Sequence, residues 1–204
     1  MLFDFTYNQL KNSSKGIYKE KGSKFISYAF IVKSEKEANK YLNSVKKLEK
    51  NARHFCYAYV ISTDKSIIKS NDDGEPRNTA GKPILGQINS NNLTNCLIVV
   101  VRYFGGIKLG ITGLIRSYKN AAANAILNNK ILKIDITETY KVIFNYEETN
   151  FIIKNIKLFN AKIISQNHNE NSELTFSVAK NKSEEILLKI SKNHKIKIEY
   201  IKTE

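Results

Sequence analysis

The glycine-rich segment Gly105–Gly110 is the part of the sequence best suited to binding a phosphate group. It follows a β-branched run and precedes a helical pattern, so backbone amides could approach a ligand beside the positive end of a helix dipole. An exposed helix terminus contributes only about 0.3–1 kcal/mol to anion binding, so nearby cations must add to it. The sequence therefore predicts a phosphate- or nucleic-acid-binding site formed by Arg77, Lys82, Arg102, Tyr103, Gly105, Gly106, Lys108, Gly110 and Arg116. In this site Tyr103 or Phe104 could stack on a base.

The spacing of these glycines argues against nucleotide hydrolysis. A P-loop ends in Gly-Lys-Ser/Thr and a dinucleotide fold needs G-x-G-x-x-G, and Gly81–Lys82–Pro83 fits neither pattern. A purely structural interpretation is also open. In it, Gly105 and Gly106 form a tight turn, while Gly110 and Gly113 allow close helix packing.

A second polar group lies in the turn-rich segment from Ser70 to Asn78, which is predicted to be a loop. Carboxylates and a histidine could serve acid–base catalysis or hold a metal, and the members of this possible polar site are His54, Asp72, Asp73 and Glu75. The spacing does not match a calcium loop and the other histidines lie far along the chain, so we expect neither metal nor cofactor. In the structural alternative, the aspartates accept backbone amides and Glu75 pairs with an arginine.

The charge distribution favours a polyanionic partner. The chain has a net charge of +14, and residues 1–130 carry 21 basic and 9 acidic side chains, against 12 and 10 in residues 131–204. Clustered cations gain affinity for a phosphate backbone by releasing counterions, although a merely solvated lysine-rich surface is the alternative. All four arginines lie in the first part, at positions 53, 77, 102 and 116, and a guanidinium recognises phosphate in ways an ammonium cannot.

Several classes of protein are excluded by the composition. The longest apolar run, Cys96–Val101, is far shorter than the roughly 20 residues of a membrane-spanning helix. The first residues lack the features of a secretory signal, so we expect a cytoplasmic protein without membrane contacts. Cys56 and Cys96 lie in strand-like segments without metal-finger spacing, and we predict that both are reduced and buried.

Hydrophobic periodicity predicts the elements that position these residues. The first part begins with two strands or a hairpin over 14–31 around Gly22, followed by a helix from the capping box Ser34/Glu37 to about Lys50. A central strand His54–Ile61 and a short helix from Thr79 to about Asn89 come next. The last elements are a buried strand Leu97–Tyr103 and a helix from about Thr112 to Asn128, whose inward residues are Ile115, Tyr118, Ala122, Ala125 and Ile126.

The remaining sequence has the order βαββαβ, which is the ferredoxin-like arrangement. The predicted elements are strand 137–146, helix 148–159, strand 161–167, strand 173–179, helix 183–192, with Ser183–Glu185 as its first turn, and strand 195–201. With a boundary near 129–136, the sequence predicts an α+β protein with domains at 1–130 and 136–204.

Three ordered blocks resemble the IMPACT/YigZ family in its bacterial two-domain form: Ala52–Tyr59, Asp72–Pro76 with Thr79–Pro83, and Val101–Gly110 with Gly113–Tyr118. The resemblance implies an amino-terminal domain like the second domain of a small-subunit ribosomal protein, and a ferredoxin-like carboxy-terminal domain similar to one in elongation factor G. The chain departs from the usual family pattern at Arg53, Arg77–Asn78 and Ile111–Thr112, where the family commonly has Thr, Ser-Gly and Thr-Gly.

The resemblance also implies a function, because eukaryotic members regulate translation during amino-acid starvation through protein partners and ribosomes. We therefore expect a non-enzymatic regulator of translation that contacts RNA or the ribosome, with a protein partner also possible. Some family members carry a proline-dipeptidase label, but the sequence lacks the ligand spacing of a dinuclear metal site. Two alternatives stay open: an enzyme acting on a phosphorylated small molecule through His54, Asp73 and Glu75, and a protein-binding module without nucleic acid.

Overall fold

The computed structural model describes residues 5–168 and 172–204, which form a mixed α+β protein. The chain divides into two compact units, Tyr7–Ile134 and Asp135–Glu204, and Phe5 and Thr6 belong with the second. The prediction of a mixed α+β protein is confirmed. No helix in the described part of the chain is both long and apolar enough to cross a membrane.

The first unit is built around a five-stranded antiparallel sheet. Its elements are β1 (Thr6–Leu10), β2 (Ser14–Glu20), β3 (Ser23–Ile31), α1 (Glu35–Leu48), β4 (His54–Ile61), β5 (Ile67–Asn71), α2 (Gly81–Ser90), β6 (Cys96–Tyr103), α3 (Gly110–Leu127) and β7 (Ile131–Asp135). The sheet order is β2-β3-β6-β4-β5, and β1 and β7 form a separate two-stranded sheet.

Helices cover both faces of this sheet. One face packs Cys56, Ile98 and their neighbours against α2 and α3, and the other packs Phe55, Val99 and their neighbours against α1. A strand that is covered on both faces is mostly apolar, which explains the continuous apolar run Cys96–Val101 in β6. Cys56 and Cys96 are both reduced and buried, as predicted.

The ends of α1 and α3 show how local sequence sets their position. The predicted capping box is confirmed, because Glu37 N donates to Ser34 Oγ at 3.2 Å and Lys33 N donates to Glu37 Oε2 at 2.7 Å. Helix α3 begins at Gly110, two residues earlier than expected, and the prediction that Ile115 faces inward is wrong because its side chain is 38% exposed. Small side chains such as Ala121 set the buried face, since they let the helix lie close to the sheet.

The second unit is a four-stranded antiparallel sheet with two helices packed on it. Its elements are β8 (Thr137–Phe144), a 3₁₀ turn (Tyr146–Glu148), α4 (Thr149–Leu158), β9 (Lys162–His168), β10 (Ser172–Ala179), α5 (Lys180–Ser191) and β11 (Lys197–Thr203), in the sheet order β11-β8-β10-β9. The element order βαββαβ is the predicted one. Placing the first turn of α5 at Ser183 was wrong, because β10 runs directly into the helix at Lys180.

Three further differences from the predicted elements concern the first unit. The strands β1 and β7 were not predicted, because each is only five residues long and its partner lies more than 100 residues away in the sequence. Strand β5 extends to Asn71, into the segment predicted as loop, and α2 begins at Gly81 rather than Thr79. The loop that matters for the site is therefore 72–80.

Candidate nucleic-acid interface

Asp72 caps helix α2 from eight residues away. The residue at the helix cap position is Ala80, which has no side-chain acceptor for the first helical amides. Asp72 Oδ1 instead accepts the amides of Ala80 at 3.0 Å and Gly81 at 2.8 Å, while its Oδ2 accepts the amide of Asn78 at 2.8 Å. Asn78 has φ 65°, a left-handed conformation that asparagine tolerates well in place of glycine.

Asp73 joins the loop to the start of β4. Its carboxylate accepts the amide of Phe55 at 2.7 Å, and its carbonyl oxygen lies 2.8 Å from His54 Nδ1. Because a carbonyl oxygen only accepts hydrogen bonds, His54 Nδ1 carries a proton and, in the neutral ring, Nε2 does not. The aspartate is therefore occupied in holding the loop and orienting the histidine.

Glu75 is buried at the centre of the first unit. Its Oε1 accepts hydrogen bonds from Arg102 Nη1 at 2.7 Å and from the hydroxyl of Tyr118 at 2.8 Å. Burial raises the pKa of the Tyr118 hydroxyl, so this tyrosine remains a donor. The structural alternative for the acidic loop is confirmed: the aspartates accept backbone amides and Glu75 pairs with an arginine.

Arg102 is more buried than a typical surface phosphate ligand. Its side chain is 9% exposed, and its guanidinium carbon lies 5.6 Å and 5.5 Å from the ring centroids of Phe25 and Phe104. One guanidinium nitrogen is used by Glu75, whereas Nε is buried without a hydrogen-bond partner among the described residues. The neighbouring Tyr103 donates its hydroxyl to Glu49 at 2.6 Å.

The glycine loop after β6 has one glycine in close contact with another loop and two glycines that face open space. A Cβ on Gly105 would lie 1.9 Å from the carbonyl carbon of Gly22, so this position must remain glycine for the two loops to touch. Gly106 and Gly110 have φ +87° and +70° and face open space. Lys108, between them, is exposed, and no side chain caps the first amides of α3.

The other predicted cations are at the surface. Arg116 is 58% exposed and lies 2.6 Å from Glu20 Oε1, an ion pair with a residue of β2. Arg77 and Lys82 are exposed just before and at the start of α2. These residues are thus spread along several elements, and only Arg102, Tyr103 and His54 from the predicted sets meet in one depression.

That depression is a cleft of about 420 Å³ beside the start of β4 and the end of β6, lined by Asn51, Arg53, His54, Arg102, Tyr103 and Phe104. We refer to it as the β4–β6 cleft. Arg53 is exposed and Phe104 is 60% exposed, so both a cation and an aromatic ring are accessible to a ligand. Phe104 was predicted as one of two residues that could stack on a base, whereas neither Asn51 nor Arg53 was among the predicted site residues. The scarcity of arginine in this lysine-rich chain was the signal that could have identified Arg53.

Metal-binding geometry does not occur in this part of the molecule. Within residues 5–168 and 172–204, no three His, Cys, Asp or Glu side chains lie together in a way that could hold an ion. The carboxylates of Asp72, Asp73 and Glu75 are engaged as described above, and burial raises the pKa of the Cys56 thiol. The β4–β6 cleft is lined instead by hydrogen-bond donors and aromatic rings.

Comparison with known proteins identifies relatives of the first unit and of most of the chain. The model of the Impact N-terminal domain matches residues 21–126. The chain is 39% identical over 144 residues to the IMPACT family member YvyE of Bacillus subtilis, covering 66% of each protein. It is 33% identical over 162 residues to an IMPACT family member of Haemophilus influenzae, covering 78% of each. The alignment thus spans about two thirds of the length of the first of these relatives.

One solved structure matches almost the whole length of the chain. The crystal structure of a hypothetical protein matches 98% of this chain and 99% of its own, with a TM-score of 0.76 and 25% sequence identity. The similarity to eukaryotic relatives is shorter. A protein IMPACT homolog of Dictyostelium discoideum is 40% identical over 95 residues, which is 45% of this chain and 27% of that protein.

Proposed function

The chain belongs to the IMPACT family, and on this premise we propose that it is a non-enzymatic regulator of translation that associates with RNA or the ribosome. The family resemblance implies a role in translation for the eukaryotic members, and the proposal takes its biological process from that resemblance. The structure of the first unit supplies the surface through which RNA would be contacted.

The β4–β6 cleft is the observation that carries this proposal. Proteins that bind single-stranded RNA combine cations along the backbone with aromatic rings on which bases stack. Arg53 and Phe104 provide that combination, because both side chains are exposed and both line the cleft. Tyr103 and Phe104 were the two candidates for stacking on a base. The hydroxyl of Tyr103 is held by Glu49, so Phe104 is the better platform.

Exposed cations outside the cleft extend the contact surface. Lys108 lies in the glycine loop, Lys82 and Arg77 lie at the start of α2, and Arg116 is largely exposed despite its pairing with Glu20. Residues 1–130 have a net charge of +12, which favours a polyanion through counterion release. In this proposal the cations provide affinity without sequence preference, and the cleft positions one base.

The placement of the carboxylates supports a non-enzymatic function. A general base must be within hydrogen-bond reach of its substrate. Asp73 is bonded to the amide of Phe55, and Glu75 is buried against Arg102 and Tyr118. These groups have structural partners, which weakens the case for an enzyme that uses them to move protons on a phosphorylated small molecule.

The topology of each unit is compatible with proteins of the translation apparatus. The second unit has the βαββαβ order and an antiparallel sheet with the two central strands β8 and β10, and we class it as ferredoxin-like. We assign the first unit to the fold of the second domain of a small-subunit ribosomal protein, as the family resemblance implies.

A protein-binding function is the second candidate, and one observation favours it. Four large apolar side chains are exposed within twelve residues of the chain, at 60%, 55%, 64% and 38% for Phe104, Ile107, Ile111 and Ile115. Exposed apolar side chains that occur together mark protein interaction sites more often than scattered ones do. We call this set the α3 apolar strip.

The two candidates are separated by measuring how the full chain binds purified ribosomal particles and short single-stranded RNAs across a salt series. For RNA contacts, the logarithm of the association constant should fall with the logarithm of salt concentration at a slope of about −0.7 per phosphate contact. Replacing Lys108 and Lys82 together with glutamine should make this slope less negative by about 1.4 if each contacts one phosphate. The matched control is Lys36→Gln and Lys40→Gln, which removes the same charge from exposed positions on α1.

Salt-dependent binding that the Lys108/Lys82 double variant weakens and the α1 double variant does not would support the proposal. Absence of RNA and ribosome binding at low salt would overturn it. Binding of a protein partner that survives nuclease treatment and is lost in Ile111→Ser would then assign the surface to the α3 apolar strip.

A further inference from the structure

The β4–β6 cleft has the chemistry of a site for one particular group, and we propose that it binds the 5′-phosphate of a nucleotide, with the attached base against Phe104. The inference rests on the proposed function, because it names the RNA feature or nucleotide that the same surface would recognise. The shared chemistry is a phosphate monoester next to a planar base, and it could come from a free mononucleotide or from the 5′ end of an RNA.

The first argument is the incomplete hydrogen bonding of Arg102. Its side chain is nine-tenths buried, yet its Nε has no hydrogen-bond partner within the described part of the chain. Buried donors are nearly always satisfied, and an exception calls for an explanation such as a ligand. Phe104 lies over this guanidinium and is 60% exposed, so a modest movement of its ring would open Arg102 to an oxygen atom.

The second argument is the kind of groups around the cleft. None of the side chains that line it is a carboxylate, and Asn51, Arg53 and Arg102 all carry hydrogen-bond donors. Glu75 neutralises the charge of Arg102 from the buried side but leaves other guanidinium donors, and Arg53 contributes an unpaired positive charge in the described residues. Such a lining selects an anion with several acceptor oxygens, and a phosphate monoester carries about −1.5 to −2 charges at pH 7.

The orientation of His54 fits the same ligand. Its Nδ1 donates to the carbonyl oxygen of Asp73 at 2.8 Å, which leaves Nε2 as the ring nitrogen available to a ligand. In the neutral ring Nε2 accepts a hydrogen bond, and the hydroxyl of a singly protonated phosphate monoester can donate it. A Cβ on Gly74 would lie 3.4 Å from His54 Nδ1, so the turn packs directly behind the ring. The ring is therefore positioned by the acidic loop.

The third argument is size. A volume of about 420 Å³ lies at the lower end of the 300–1,000 Å³ typical of small-molecule sites. A site of this size suits one nucleotide and not a strand passing through, so we infer that it takes a terminal or free nucleotide. Phe104 supplies an exposed ring for the base, because base–aromatic stacking tolerates any base.

The test is calorimetric titration of the full chain, in a buffer without phosphate, with 5′-AMP, 5′-UMP, adenosine and inorganic phosphate. The monophosphates should bind at least about tenfold more tightly than adenosine, because the phosphate makes charge-assisted hydrogen bonds. Equal affinity for adenosine and 5′-AMP, or no binding of either monophosphate at millimolar concentration, would overturn the inference.

Two variants test which residue binds the phosphate and which binds the base. Arg53→Gln should weaken 5′-AMP and inorganic phosphate alike by about tenfold or more, whereas Phe104→Leu should weaken 5′-AMP by about fivefold or more and leave phosphate unchanged. Lys40→Gln is the charge-matched control, since Lys40 is exposed on α1 and does not line the cleft. If Lys40→Gln reduces binding as much as Arg53→Gln, the effect is one of net charge and the proposed site is wrong.

RNA oligonucleotides with a 5′-monophosphate or a 5′-hydroxyl identify the source of the phosphate. Tighter binding of the phosphorylated RNA, abolished by Arg53→Gln, would identify an RNA 5′ end, whereas 5′-AMP binding without such a difference would identify a free nucleotide. Salt-dependent RNA binding with no preference for 5′-AMP over adenosine, and none for 5′-phosphorylated over 5′-hydroxyl RNA, would overturn this inference alone. The proposed function would then remain intact.

Discussion

Replacing Glu75 with glutamine should destabilise the first unit by about 3–5 kcal/mol, the cost of removing one partner of a buried ion pair. The Glu75 side chain is 4% exposed, and its Oε1 accepts hydrogen bonds from both Arg102 Nη1 and the Tyr118 hydroxyl. Glutamine keeps the shape and one acceptor oxygen but loses the negative charge. The Arg102 guanidinium would then remain between two aromatic rings without a counter-charge.

The chain contains its own control for this prediction. Arg116 and Glu20 form an ion pair at a similar distance, 2.6 Å, but the Arg116 side chain is 58% exposed. An exposed pair contributes about 0–1 kcal/mol because water and salt screen both charges. Arg116→Gln should therefore be several-fold less destabilising than Glu75→Gln, although both remove one charge from a carboxylate–guanidinium pair.

Urea denaturation followed by circular dichroism would measure both variants, with stability taken from the transition midpoint at unchanged slope. The double variant Glu75→Gln/Arg102→Met supplies a second comparison. It should lose less stability than the two single variants added together, because neither charge is then buried alone. A cost below 1 kcal/mol for Glu75→Gln, or additive effects in the double variant, would refute the view that this pair organises the core.

Three further predictions concern other features of the first unit. Asp72→Ala should cost about 2 kcal/mol in urea denaturation, as loss of a helix cap does, while Asp72→Asn should cost less because it keeps one acceptor. Gly105→Ala should cost more than about 1 kcal/mol, because its Cβ would overlap the backbone of Gly22, whereas Gly86→Ala, in open space within α2, should stabilise by about 0.5–1 kcal/mol; equal effects would contradict the packing. Burial alone would raise the pKa of the Glu49 carboxyl. The hydrogen bonds that Glu49 accepts outweigh this effect and lower its pKa below the ordinary 4.5. Its contribution to stability is thus present above pH 4.5 and lost as the pH falls below it, so Glu49→Gln should flatten the acid side of the melting-temperature profile, and an unchanged profile would contradict this.

Local patterns in the sequence predicted most of the secondary structure. The apolar run of β6 and the alternation around Gly22 correctly indicated a doubly covered strand and a hairpin. The capping box at Ser34 correctly indicated the start of α1. The failures occurred where local signals were weak: β1 and β7 are short, and α5 begins directly at the end of a strand.

The candidate site was predicted less well, because residue type does not reveal partners. Arg102 has the chemistry of a phosphate ligand, but one of its nitrogens is committed to Glu75, 27 residues earlier. Arg116 pairs with Glu20, 96 residues away. The opposite error also occurred, since Arg53 was left out of the predicted site although it lines the cleft.

The sequence by itself determined the family, the order of the elements, the burial of both cysteines and the excess of positive charge in residues 1–130, because these depend on composition, periodicity and motifs along the chain. Only the tertiary structure decided which charges are used internally and which remain for a ligand. The reason is physical: a carboxylate and a guanidinium interact according to their separation and burial, and both follow from which strand ends and loops the sheet brings together. The acidic loop could thus be recognised in the sequence, but its role in holding Arg102, His54 and α2 became visible only in the fold.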